Sequence, residues 1–163
     1  MIRTLWIVVA AFSGFVVSTI SVAGAAHAQG LDLSRYSVEG RISGYVFLGE
    51  QVRALQDDDF QNPGMFAVDR GRALWNTANG EAGKSCASCH GDATGSMAGV
   101  AARYPQFDAD RGGIINLELR INEQRVTHMM AAPLEYESED LLALTTYIAN
   151  LSRGVPLEVN IEG

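Results

Sequence analysis

Cysteine is scarce: Cys86 and Cys89 are the only two in 163 residues, so a framework of several disulfides is excluded and both thiols are available to a single task. Basic residues are outnumbered, with 12 Lys and Arg against 19 Asp and Glu and a formal net charge of −7. That balance argues against nucleic acid or an anionic membrane surface as partner and suits a protein that meets basic patches on others. No internal repeat and no low-complexity tract occurs, which leaves out solenoids and disordered arrays. No convincing alternating run of apolar and polar residues occurs either, so the expected class is all-α. The Pro63-Gly64 and Gly112-Gly113 pairs punctuate turns and do not form linkers. The length fits one compact domain.

What the sequence does hold begins with an export signal. Met1-Ile2-Arg3 gives a short positive start, Leu5 to Ala25 is an uncharged apolar run, and Ala26-His27-Ala28 is a small-x-small cleavage site. The expected leader is therefore 1–28, with the mature chain beginning at Gln29 and located in the periplasm. The alternative is an uncleaved anchor, because the run reaches the about 20 residues that a spanning helix needs. Nothing later in the chain is apolar enough to span. Downstream, the expected divisions are an N-terminal extension over 29–62, a main domain over 63–156 and a tail over 157–163.

The central motif is "GKSCASCHGD", residues 83 to 92. Two thiols flank two small residues, and His90 follows at once. In an exported chain such a pair can form a disulfide, half a zinc site, a thioredoxin-type dithiol or the attachment point of a covalent haem. Zinc needs four ligands, and His128 would have to be the fourth. A thioredoxin-type site expects a βαβ pattern, which is absent, and like a bare disulfide it leaves His90 unexplained. Haem c uses every residue: Cys86 and Cys89 form thioethers with the porphyrin vinyls, and His90 becomes the proximal iron ligand.

The flanking pattern is helical. Met65 to Asn76 places Val68, Gly71, Leu74 and Trp75 on one face, with Gly71 leaving room for another helix to approach. Ser138 is an N-cap with Glu139 and Asp140 in the first turn, where acidic groups favour the helix dipole. Leu141, Leu144, Thr145, Ile148 and Leu151 then repeat at helical spacing, and Gly154 is the expected C-cap. These two helices are expected to cross. A third and weaker helix is expected over Ile114 to Arg125, with Ile114, Leu117 and Ile121 facing inward.

The run from Ser43 to Pro156, with "QDDDF", "NPG", "SCASCH", "GVAARYP", "INLELRINEQR" and "SEDLLALTTYIANLSRGVP", resembles the N-terminal haem domain of the SoxA family. SoxA is the dihaem cytochrome subunit of the periplasmic SoxAX complex in thiosulfate oxidation. The resemblance implies a class I cytochrome c fold, haem c on Cys86 and Cys89, and His90 as proximal ligand. Two departures stand out. SoxA proteins continue into a second haem domain with a reactive cysteine, whereas this sequence stops at Gly163, so the conjugating activity is not expected of it. SoxA domains with a haem here also read INxCR, the cysteine being the distal ligand, whereas this sequence has Asn122-Glu123-Gln124-Arg125.

A thioether or imidazole is the usual donor at the sixth position of an electron-transfer haem. Met129 is the first candidate, with Met130 and His128 as alternates, and Met97 or no protein ligand after them. A helix that continues through Gln124 puts His128 one turn further along the same face; a break near Thr127 would free a loop to deliver Met129 or Met130. The methionines can equally be gap-fillers beside the porphyrin. Arg103 or Arg125 is the candidate partner of the haem propionates, and Tyr104-Pro105 the expected fix for the loop over the haem. Asp57-Asp58-Asp59 reads as a solvated turn. The expected function is a monohaem electron carrier in sulfur-compound oxidation, meeting redox proteins such as a SoxX-like cytochrome, with no catalytic residue. The alternatives are a SoxA-type subunit assisting thiosulfate conjugation beside that partner, and a gas-binding haem protein.

Overall fold

The computed structural model describes residues 31–162; the expected leader and His27 lie outside them. Among the described residues no helix is long and apolar enough to cross a membrane. The chain divides into two compact units, 1–53 and 54–163. The first holds a 3-10 turn over Leu33–Tyr36, the strands β1 (Ser37–Val38) and β2 (Arg41–Ile42), a second 3-10 turn over Gly44–Phe47 and the start of α1 (Glu50–Asp57). β1 and β2 pair antiparallel, Ser37 with Ile42 and Val38 with Arg41. Glu39 and Gly40 between them both have positive φ, the backbone that a two-residue hairpin turn requires. Tyr36 and Tyr45 stack at 5.1 Å across its base.

The second unit is helical: α2 (Met65–Asn76), α3 (Cys86–His90), α4 (Ala93–Ser96), the hairpin of β3 (Gln106–Asp108) and β4 (Gly113–Ile115), α5 (Leu117–Met129) and α6 (Glu139–Asn150). The mostly helical class and the bounds of α2 are those the sequence predicts. α2 and α6 cross at Gly71, where a Cβ would strike the carbonyl oxygen of Ala143 and come within 2.6 Å of the Tyr147 Cβ. The core at this crossing is Val68 and Trp75 from α2, Leu141, Leu144, Tyr147 and Ile148 from α6, and Leu117 and Ile121 from α5. Each such aliphatic side chain, once fully buried, contributes about 1.5–3 kcal/mol. Ser138 caps α6 by accepting from the Leu141 N–H, and Asn116 caps α5 by accepting from the Leu119 N–H at 2.8 Å.

Three expectations are corrected. The helix before Arg125 starts at Leu117, not Ile114: Ile114 lies in β4 opposite Phe107 and is 57% exposed, while its neighbour Ile115 is fully buried. The hairpin forms because Asp108 accepts from the Arg111 N–H at 3.0 Å and Gly112 takes a positive φ, closing a turn that the three-residue strands are too short to signal by alternation. β1–β2 and β3–β4 also add small sheets to a chain expected to have none. Finally, α6 ends at Asn150 with Leu151 as C-cap, and Gly154, at φ +76, turns the chain only after three more residues.

Candidate haem site

The attachment motif folds as a single helical turn. Ser85 and Ser88 cap it reciprocally: the Ser88 N–H donates to Ser85 Oγ at 3.1 Å and the Ser85 N–H to Ser88 Oγ at 3.2 Å. Cys86 and Cys89 stand at i and i+3 on this turn, which puts their sulfurs on one face. Gly91 follows with φ 67 and ψ −143, a backbone region open to glycine, so the chain leaves immediately behind His90. Trp75 from α2 fixes that exit. Its indole N–H donates to the Gly91 carbonyl at 3.1 Å, and its ring lies 5.7 Å from the His90 imidazole. Burial pushes the Cys86 thiol above its ordinary pKa.

Cys86, Cys89 and His90 form one wall of a cavity of about 500 Å³. Trp75, Met97, Val100, Tyr104, Leu144 and Ile148 supply most of the apolar lining, and α5 supplies a second wall with Leu117, Arg120, Ile121, Gln124, Arg125, His128 and Met129. That wall repeats at the period of one helix face. Gln124 therefore stands in the cavity, in the place where the SoxA pattern has cysteine. α5 does not break near Thr127. It continues to Met129, which is buried at 6% exposure, and ends on Met130 in the left-handed conformation. Of the distal candidates, Met129, His128 and Met97 line the cavity, whereas Met130 is 59% exposed and is not among its lining residues.

The two proposed propionate partners separate. Arg125 lines the cavity and donates from Nε and Nη2 to the Ala132 carbonyl at 3.3 and 3.2 Å; Arg103 is exposed and is not a lining residue. Sequence reasoning missed Arg120, which lines the cavity, is held by Asp108 and Glu123, and faces the Tyr104 hydroxyl. The signal that marks it is its place four residues before Gln124, on the same face. The Asp108 pKa is lowered from its ordinary value, because the Arg111 backbone N–H and then the Arg120 guanidinium favour its charged form. Tyr104-Pro105 is a cis peptide beside this cluster. Of the Asp57-Asp58-Asp59 turn, Asp59 pairs with Arg153 at 2.6 Å and Asp58 accepts from the Phe60 N–H at 2.9 Å.

Among the described residues no three His, Cys, Asp or Glu side chains converge on one point, so His128 does not join Cys86, Cys89 and His90 as a zinc cluster. The donor set suits haem c instead: two thiols and an imidazole on one helical turn, apolar sides, further sulfur and nitrogen donors on α5, and guanidinium groups for carboxylates. The volume lies within the range of about 300–1,000 Å³ common to cofactor pockets.

Comparison with known proteins agrees with this donor set. The family profile described as "SoxA/TsdA, cytochrome c domain" matches residues 70–157, and a cytochrome c domain implies covalent haem c. The chain is 48% identical over 120 residues to the L-cysteine S-thiosulfotransferase subunit SoxA of Pseudaminobacter salicylatoxidans, covering 74% of this chain and 42% of that protein. It is 39% identical over 121 residues to the same subunit of Rhodovulum sulfidophilum, again covering 74% and 42%. The crystal structure of SoxXA from P. pantotrophus superimposes with a TM-score of 0.69 at 37% identity, over 75% of this chain and 46% of that one. The chain thus spans about two-fifths of the length of the curated relatives it matches. On its motif, its fold and these matches, the chain belongs to the SoxA family, through the SoxA/TsdA cytochrome c domain.

Proposed function

We propose that the protein is a periplasmic c-type cytochrome that carries one haem, bound through Cys86 and Cys89 with His90 as proximal ligand and Met129 as distal ligand, and that it transfers electrons in the oxidation of thiosulfate or a related sulfur compound. The observation that carries this reading is that the attachment motif and the buried Met129 line one and the same apolar cavity. When bound, haem supplies a one-electron Fe(III)/Fe(II) couple. The chain's own residues hold and insulate it. Trp75 orients His90 through its ring contact and its bond to Gly91. Val100, Leu117, Leu144 and Ile148 exclude water from the cavity. Arg120 and Arg125 offer the guanidinium geometry that carboxylates favour. With Cys86 and Cys89 assigned to haem, neither is free to form a protein persulfide.

Spectroelectrochemical titration of the holoprotein tests the reading. A single reversible one-electron wave is expected. The methionine-to-iron charge-transfer band of the ferric form should vanish in Met129→Ala and survive in Met130→Ala and His128→Ala. Loss of low-spin character in His128→Ala alone makes the histidine the ligand, and a five-coordinate unmodified protein favours ligand binding over electron transfer.

A second reading is favoured by the likeness to SoxXA: a SoxA-type subunit that docks a SoxX-like cytochrome and assists thiosulfate conjugation in that assembly. The purified chain alone then conjugates no thiosulfate to a carrier protein. Turnover that appears only on adding a SoxX-like partner selects this reading over the free carrier.

A further inference from the structure

The segment between α2 and α3 is a tight turn that reaches the C-terminal end of α5. The Asn79 N–H donates to the Lys84 carbonyl at 2.9 Å and the Gly83 N–H to the Gly80 carbonyl at 3.1 Å, which closes the turn on itself. The two amides in its middle point elsewhere: Glu81 donates to the carbonyl of Met130 and Ala82 to that of Met129, each at 3.2 Å. These carbonyls are at the C-terminus of α5, where the helix itself offers no donor. Gly80 has φ +70 and lies so close that a Cβ would strike the Met129 carbonyl oxygen and sit 2.8 Å from the Ala131 nitrogen. At its other end the turn runs through Lys84 into Ser85, the cap of the attachment helix α3. The end of α5 is held from behind as well, by the Arg125 guanidinium on Ala132 and by the Asn122 amide, which donates to the Leu134 carbonyl at 2.9 Å and accepts from its N–H at 2.8 Å.

We propose that the Gly80–Ala82 turn is a positioning element: it ties the His128–Met129 end of α5 to the attachment helix and so fixes how the distal donor is presented to the iron. The proposal rests on the haem reading above. Gly80 acts through Met129, without touching the cofactor. Outer residues that orient a ligand tune its bond to the metal, so an error of a few tenths of an ångström here reaches the iron.

Gly80→Ala and Gly83→Ala, made in the holoprotein, test it. Gly83 also has a positive φ, +58, but has nothing within 4 Å of a Cβ. Both variants therefore carry the left-handed backbone cost and only Gly80→Ala carries the collision. In Gly80→Ala, amide exchange over 127–131 should rise by about ten-fold or more, the low-spin ferric spectrum should lose its distal-ligand band, and the reduced form should take up carbon monoxide. Gly83→Ala should keep the exchange pattern and the spectrum of the parent. An unchanged spectrum in Gly80→Ala overturns the proposal even if exchange rises, as does an equal change in Gly83→Ala. Should Gly80→Ala fail to fold, the unmodified protein decides: the Glu81 and Ala82 amides must exchange as slowly as the end of α5, and fast exchange there overturns the clamp. A parent chain that takes up no covalent haem defeats the functional reading, while the exchange comparison still decides the clamp.

Discussion

Gln124 concentrates the residue-scale argument. It lines the same cavity as the attachment motif, where the SoxA pattern has a thiolate, and a neutral amide is a poor iron ligand. Gln124→Cys should therefore restore an anionic sulfur donor and lower the midpoint potential by at least about 0.1 V, within the about 0.8 V that axial ligands span. An unchanged potential, measured by redox titration, would show that residue 124 does not face the iron. Asp108 gives a second prediction. Its pKa lies below the ordinary 3.8, chiefly through the Arg111 N–H and then Arg120. A depressed pKa adds stability that is present above the unfolded value and is lost as pH falls through the folded one. Melting temperatures from neutral pH down to about pH 3 should fall in the parent and fall less steeply in Asp108→Asn, which begins lower at neutral pH. Equal acid slopes would remove Asp108 from the account. At this scale the motif residues were legible because they are contiguous, and Arg120 was not, because its partner Asp108 comes from a hairpin that the sequence does not announce.

At the scale of elements, α2 and α6 declare themselves by caps and by apolar residues at helical spacing, and their crossing follows from one glycine. Gly71→Ala gains about 1 kcal/mol of helix propensity. Its Cβ, however, meets the Ala143 carbonyl and the Tyr147 Cβ, and forcing packed helices apart costs typically 1–3 kcal/mol. Because the contact is with backbone, the cost falls in the upper part of that range, and the net loss of about 1–2 kcal/mol should lower the melting temperature by about 2–8 °C and weaken haem retention; a melting temperature at or above the parent's would mean that α2 and α6 are not in contact there. α5 was only partly legible. Ile121 and Leu117 keep the helical period, but Ile114 and Ile115 look alike in sequence, and only pairing with β3 decides that Ile115 turns inward. The Gly80 turn gave no sequence signal beyond turn chemistry, since its purpose lies in contacts with residues about fifty positions away.

For the whole molecule, the net charge of −7 implies steering toward basic partners. Electron exchange with a positively charged test cytochrome should slow several-fold between about 0.01 and 0.3 M salt, as the Debye length shrinks from about 30 Å to less than 10 Å. A rate indifferent to salt would argue for an uncharged docking face. The cavity, the capped attachment turn and the α5 residues that share its lining bear on one claim, that haem is held covalently by Cys86 and Cys89. Intact-mass spectrometry of the denatured protein, produced alongside c-type maturation machinery, tests it most directly. The account predicts a chain that keeps one haem through denaturation and loses it when both cysteines are replaced by alanine. A chain at the mass of the polypeptide alone, or one whose haem dissociates on denaturation, would contradict it.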